Sequence, residues 1–322
     1  MTAAPAAALP AGITELAVYE VPLRSRFRGI DVRDGVLLRG PAGWGEFSPF
    51  WDYDAAESRR WWASAVESAL EGWPAPVRSS VPVNVTVPAV GPERAHAIVA
   101  GSGCRTAKVK VAEPGQSAAE DRARVEAVRD ALGPAGAIRV DANAAWDVDT
   151  AVARIRELDA AAGLEYVEQP CAGLADLAAL RRRIDVRVAA DEVVRRADDP
   201  LRVDLREACD VVVLKVQPLG GVRAALRVAE AHGLPCVVSS ALESSVGIAA
   251  GVALAAALPE LPFACGLATV ALFTGDVTSS PLLPVDGALP VGAREPDRLA
   301  GVAASGATAA RWRTRLDEVL AA

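Results

Sequence analysis

Between Lys108 and Lys215, short apolar runs recur and each ends in a charged residue. "AKVKV" carries Lys108 and Lys110, "IRVDAN" carries Asp141, "LEYVEQP" carries Glu168, "VRVAADE" carries Asp191 and "CDVVVLKVQP" carries Lys215. From Asp141 onward the steps are 27, 23 and 24 residues. Parallel neighbours need a connection of a dozen or more residues, so a strand, a helix and the return fill such a step. Repetition at this interval predicts a parallel α/β barrel whose charges sit at the C-terminal strand ends, where barrels of this kind keep their chemistry.

Eight strands are expected between 81 and 266: one from Val81 in "VPVNVTVPAV", one in "RTAKVKVA", and others near 137–141, 164–168, 187–191, 210–215, 236–240 and 262–266. Helical periodicity falls between them at 92–100, 117–132, 148–162, 220–233 and 245–257. A Rossmann sheet is the rival arrangement, but no GxGxxG follows the first strand. Upstream, residues 13–47 read as a three-segment meander turning at Gly35, Gly40 and Gly43. An amphipathic helix follows from Asp54 to about Trp73, with Asp52 or Asp54 as its N-cap. Five of the seven tryptophans lie at positions 44–73, which predicts a separate small core. "SRFRG" at 25–29 reads as a flexible polar link, able to fold over something beneath it. The expected division is an α+β capping domain over 1–80, a barrel over 81–274, and a segment over 275–322 that packs back on the cap and ends in a helix at 306–321.

Composition removes several classes of function. A net charge of −7 with no cluster of Lys and Arg argues against nucleic acid. Cys104, Cys171, Cys209, Cys236 and Cys265 form no close pair, no CxxC and no zinc spacing, which fits reduced thiols in the cytoplasm. "MTAAPAAALPAG" lacks the basic n-region of a signal peptide and is expected to be a loose leader. The apolar run from Val246 stops at Pro259, too short for a bilayer. The two histidines, His96 and His232, both fall in helix patterns, so histidine triads and histidine metal cages are poor fits. The oligomeric state is not legible.

Alternation along a strand puts Lys108 and Lys110 on one face. Neighbouring ammonium groups repel, which should depress at least one lysine pKa and favour a base. Asp141, Glu168 and Asp191 offer oxygen ligands alone, a set suited to a hard ion such as Mg²⁺. The plainer alternative, helix caps or arginine pairs, would have to hold at three consecutive units. Asn143 and Arg139 share the face of Asp141 and would support the ligands from behind, whereas Glu192 should point to the other side. Lys215, on the sixth strand, lies roughly across the barrel from the second. Lysines on both sides of a hard cation suit proton abstraction next to a carboxylate, so the expected partner is a small-molecule carboxylate substrate.

The order KxK, DxN, EQP, DE, K resembles the enolase superfamily, and within it the muconate-lactonising subgroup, which uses two lysines and no catalytic histidine. "GWGEFSP" is similar to that superfamily's capping domain. In "PLRSRFRGI", "VPVNVTVPAV", "SSALESSVGIAAG" and "CGLATVALF" the chain most resembles the o-succinylbenzoate synthase family. The resemblance implies a modified TIM barrel of the (β/α)7β type and Mg²⁺, with Mn²⁺ a possible substitute, held by Asp141, Glu168 and Asp191. It implies that Lys110 removes an α-proton, Lys215 stabilises an enediolate and Lys108 tunes Lys110, so that loss of water gives o-succinylbenzoate for menaquinone biosynthesis. Ser239 and Ser240, with Glu243 nearby, would meet the succinyl tail, and Arg26 and Arg28 would sit on a cap loop above it. N-acylamino-acid racemases and dipeptide epimerases of the same subgroup share both lysines. Dipeptide epimerases carry an acidic DxD at the eighth strand, where "CGLATV" has no acid. A barrel that only binds a partner would have lost a ligand or a base, and none is missing.

Overall fold

The computed structural model describes residues 9–322, so the first eight residues of the expected leader lie outside the described residues. The chain begins with β1 (Glu15–Phe27), β2 (Ile30–Gly40) and β3 (Gly43–Phe47), followed by α1 (Ala55–Leu70), β4 (Ser80–Pro82) and β5 (Val85–Val87). Next come α2 (Pro92–Ala100), β6 (Thr106–Lys110), α3 (Ala118–Leu132), β7 (Ala137–Asp141), α4 (Val148–Ala162), β8 (Leu164–Glu168) and α5 (Leu174–Arg181). The rest is β9 (Arg187–Ala190), α6 (Glu192–Arg195), β10 (Val211–Leu214), α7 (Val216–Leu219), α8 (Val222–His232), β11 (Cys236–Val238), α9 (Ser245–Ala257), β12 (Ala288–Pro290) and α10 (Gly306–Ala321).

β5 to β11 form one parallel sheet in sequence order. It is closed by Cys265 and Gly266, which bridge Val83 on one side and Ser239 on the other. The eighth strand expected at 262–266 is therefore reduced to this bridge: Pro262 has no N–H to donate, and the chain turns into a 3₁₀ segment at Ala268. The strand expected from Val81 is split in two. β4 pairs antiparallel with β12, and β5 enters the barrel. Lower in the barrel, Tyr166, Ala189, Val211, Val213 and Val237 pack together with Phe263.

β1, β2 and β3 form an antiparallel meander. "SRFRG" is not a link: β1 runs through Phe27, and Arg28 and Gly29 make a two-residue hairpin, both at positive φ. α1 opens with a capping box between Asp54 and Glu57. α10 lies against α1, β1 and β2, and Trp312 packs edge-on to Phe47 at 5.7 Å. The tryptophan-rich region does not form a separate core, because Trp61, Trp62 and Phe47 belong to the same buried cluster as the barrel residues. The five cysteines are free and buried, and among the described residues no helix is long and apolar enough to cross a membrane.

Two cap carboxylates fasten this seam by entering the N-termini of barrel helices, where unpaired N–H groups favour negative charge. Glu67 of α1 accepts from Val222 N at 2.6 Å and Arg223 N at 3.1 Å at the start of α8. A β-carbon at Gly221 would lie 1.9 Å from its Oε2, so only glycine leaves room. Glu46 of β3 accepts from Ser244 N and, at 3.0 Å, from Gly247 N at the start of α9. Arg33 of β2 donates from Nε to the Leu242 carbonyl at 2.8 Å and from Nη2 to the Ala241 carbonyl at 3.2 Å.

Two expectations follow. Gly45 packs so close to α1 that a β-carbon would fall 2.0 Å from the Ala65 carbonyl oxygen. Gly45→Ala should lose about 2 kcal/mol or more in urea unfolding; unchanged stability would contradict the contact. Glu243 is fully buried in the seam, and burial followed by the charge of Glu46 pushes its pKa up to about 7. A carboxyl raised on folding contributes fully below the unfolded value and loses that contribution as pH rises through about 7. Glu243→Gln should therefore raise Tm at pH 8 and raise it far less at pH 5. An equal gain at both pH values would contradict the burial effect.

Candidate active site

The interior residues at the C-terminal ends of β6 to β10 converge in one charged layer. Register places Lys110 beside Asp141 and Asp141 beside Glu168. Lys108, Lys110 and Lys215 are 5%, 8% and 5% exposed, and the three acids at most 1%, so each charge needs a buried partner. Lys108 Nζ donates to both Glu168 oxygens at 2.9 Å and lies 3.4 Å from Asp141 Oδ2. Lys110 Nζ meets Asp141 Oδ2 and Asn143 Oδ1, each at 2.6 Å. Lys215 Nζ meets Asp191 Oδ2 at 2.6 Å, and Arg195 Nε holds the other Asp191 oxygen at 2.8 Å.

The loops after the strands hold this layer in place. Asn143 sits at positive φ, its N–H donates to Asp141 Oδ1 at 3.0 Å, and its side chain reaches Glu192 Oε1 at 3.2 Å. Gln169 of the EQP motif accepts from Asp191 N at 2.9 Å and so ties the third acid to the end of β8. Glu192 turns toward the site rather than away, because the backbone leaves extended geometry at Asp191 and alternation ends there.

The electrostatics depart from simple ammonium repulsion. Burial works against the charge on Lys108, yet Glu168 and Asp141 hold its pKa above the ordinary lysine value. It is Lys215 that is lowered, by burial, with Asp191 opposing the shift and Arg195 adding to it. Burial also opposes ionised Asp141, but Lys110 and Lys108 keep it well below the usual carboxylate range. Burial and the charge of Asp141 raise Glu168. Burial and the neighbouring Glu192 push Asp191 up to about 6.

Three desolvated carboxylates that repel one another form a donor set suited to a hard divalent cation in charge and ligand type. Each acid turns onto an ammonium in this arrangement, and among the described residues no three Asp, Glu, His or Cys side chains converge as metal ligands do. The residues fit a cation as a donor set, with the lysines supplying the neutralising charge.

A narrow cavity of about 20 Å³ opens above the layer. Lys108, Lys110, Asp141, Lys215, Ser239, Ser240 and Arg28 of the expected residues line it. Arg28 stacks 4.6 Å over Phe50, which also lines the wall. Glu168, Asp191 and Asn143 belong to the charged layer without lining this cavity, and Arg26, Glu243 and Arg139 lie outside both. Arg26 pairs with Asp31 and lines a second, more open cavity that it shares with Arg28, Lys110 and Asn143. Glu243 faces the cap seam, its carboxylate accepting from Ala241 N at 2.7 Å. Arg139 lies a layer deeper, bonding Glu165 and Asn84 over Tyr166. Phe27, Phe50, Thr86 and Thr269 also join the wall, and none carries a charge that would mark it in the sequence. His96 pairs with Asp130 at the surface and His232 bonds the Pro200 carbonyl, both away from the cavity.

The comparisons agree with this architecture. Residues 18–69 match the enolase N-terminal domain-like family and residues 92–298 the enolase C-terminal domain-like family. The o-succinylbenzoate synthase of Thermobifida fusca (strain YX) is 70% identical over 273 residues, 85% of this chain and 86% of that one. That of Mycolicibacterium smegmatis is 54% identical over 295 residues, 91% of each. Among solved structures, muconate lactonizing enzyme from Pseudomonas fluorescens, complexed with muconolactone, superposes at a TM-score of 0.75 over 94% of this chain and 99% of that one, at 23% identity. A likeness at that identity carries the fold, a modified TIM barrel with an N-terminal cap. The chain is an enzyme and belongs to the o-succinylbenzoate synthase family of the enolase superfamily.

Proposed function

We propose that the enzyme dehydrates 2-succinyl-6-hydroxy-2,4-cyclohexadiene-1-carboxylate to o-succinylbenzoate, with syn loss of water, in menaquinone biosynthesis. The observation that carries this reading is that Lys110 and Lys215, four strands apart around the barrel, line one cavity above buried acids. The names of the relatives supply the product.

Lys110, as the base, takes the proton from the carbon bearing the carboxylate, and the electron pair passes into that carboxylate as an enediolate. The electrons return to expel the β-hydroxyl, which receives from Lys110 the proton just abstracted on the same face and leaves as water, so that the ring becomes aromatic and the amine is regenerated. Asn143 positions the Lys110 amine through its 2.6 Å contact. Lys215, as the ammonium, faces the enediolate from the opposite wall and lowers its energy in a site screened from water. Lys108 remains charged between Glu168 and Asp141, beside Lys110 on the same strand face. Mg²⁺ or another divalent cation, held by Asp141, Glu168 and Asp191, would supply positive charge beside the substrate carboxylate. Phe27 and Phe50 offer apolar surface to the ring, and the hydroxyls of Ser239 and Ser240 offer hydrogen bonds to the succinyl arm.

The opposed lysines also suit racemisation of N-acylamino acids, in which one lysine removes and the other returns the proton. Dipeptide epimerisation is disfavoured, because Thr269, not an acid, stands in the wall after the eighth barrel segment.

Purified enzyme with Mg²⁺ should convert the diene carboxylate with the absorbance change of aromatisation. Lys110→Ala should lower kcat at least about 1,000-fold in protein that still folds, with a lower melting temperature from the charge left on Asp141. Absence of turnover together with racemisation of N-succinylamino acids would reverse the ranking, and wild-type kcat in Lys110→Ala would remove the base from that residue.

A further inference from the structure

Thr86 stands near the end of β5, in register with Lys108 on β6. It is 4% exposed and lines the same cavity as Lys110 and Lys215. Its Oγ1 finds no hydrogen-bond partner among the described residues. The neighbouring hydroxyls differ: Ser240 and Thr269 bond each other at 2.8 Å, and Ser239 Oγ lies 3.5 Å from Lys108 Nζ.

A buried hydroxyl without a partner is unfavourable, and valine would fill the same volume without that penalty. Such a group on a cavity wall is explained if its partner arrives with the ligand. The order of strand ends says which part of the ligand that is. The acids occupy β7 to β9, whereas Thr86 sits on the opposite arc, joined through Val83 and Cys265 to Gly266 and Ser239. A substrate whose ring carboxylate is drawn toward the cation that the acid arc would hold turns its remaining polar groups toward the hydroxyl arc.

We propose that Thr86 Oγ1 donates a hydrogen bond to an oxygen of the substrate's succinyl arm and discriminates for ligands that carry it. The identity of that arm rests on the function proposed above. The residue is a binding group whose unsatisfied hydroxyl lowers the stability of the free enzyme and is compensated only in the complex.

The test compares wild type, Thr86→Val and Thr86→Ser by calorimetric binding of o-succinylbenzoate and of benzoate, which lacks the arm, and by thermal melting. Thr86→Val should bind o-succinylbenzoate about 10-fold more weakly, bind benzoate as wild type does, and melt at or above the wild-type temperature. Thr86→Ser should keep wild-type affinity for o-succinylbenzoate. Equal binding of o-succinylbenzoate by wild type and Thr86→Val, absence of binding by both included, overturns the proposal. A lower melting temperature for Thr86→Val, or equal losses for both ligands, also overturns it. A wild-type enzyme that binds o-succinylbenzoate through Thr86 yet does not turn over the diene carboxylate would sink the dehydration reading and support this assignment.

Discussion

Three lysines and three carboxylates share the dry mouth of the barrel, and everything around them serves to keep that arrangement neutral. An uncompensated charge at this depth would be strongly destabilising. The pairing is nearly one to one: Lys110 with Asp141, Lys108 with Glu168, Lys215 with Asp191. Each acid comes from a different strand, so the charge balance depends on the register of the sheet. A slip of one residue in any of these strands would aim its charged group at the helices instead of the interior. The same closeness that makes the layer expensive to assemble gives it its chemistry, because amine, ammonium and anionic oxygens face one small volume.

The cap contributes more than a cover. Its β2 and β3 hold the segment from Ala241 to Gly247 through Arg33 and Glu46, and that segment shapes the wall beside Ser239 and Ser240. Leu242 sits at positive φ, an unfavourable conformation for a branched side chain, and the Arg33 contact with its carbonyl fixes it there. The apolar side of the cavity, Phe27 and Phe50, is likewise cap-derived.

Much of this was legible in the chain because strand ends advertise themselves. Asp141, Glu168 and Lys215 each close an apolar run, and the strands at 137–141 and 164–168 coincide with β7 and β8. Helices with local signals, such as α3 with its Ser117 cap, were also readable. What stayed hidden depends on tertiary geometry. Arg139 obeys the same alternation as Asp141, but the pattern does not say at which height of the barrel a residue stops. Glu243 and Ser240 are three residues apart, yet one faces the cap and the other the cavity, because the turn at Leu242 reverses direction. Arg26 follows the bulge in β1, which pairing decides and local composition does not. Thr86 carries no charge, so nothing in its sequence neighbourhood separates it from any other strand threonine.

Glu46 and Glu67 in the N-terminal domain find their backbone donors only at residues 222–247, late in the chain. As the polypeptide leaves the ribosome, both acids wait for these backbone donors through most of synthesis, with Tyr19 and Ser48 the early hydrogen-bond partners of Glu46. The cap therefore cannot mature first and the barrel second as independent units; contacts spanning roughly half the chain must close together. A fold organised in this way commits late, and slow association of distant segments is the expected kinetic signature.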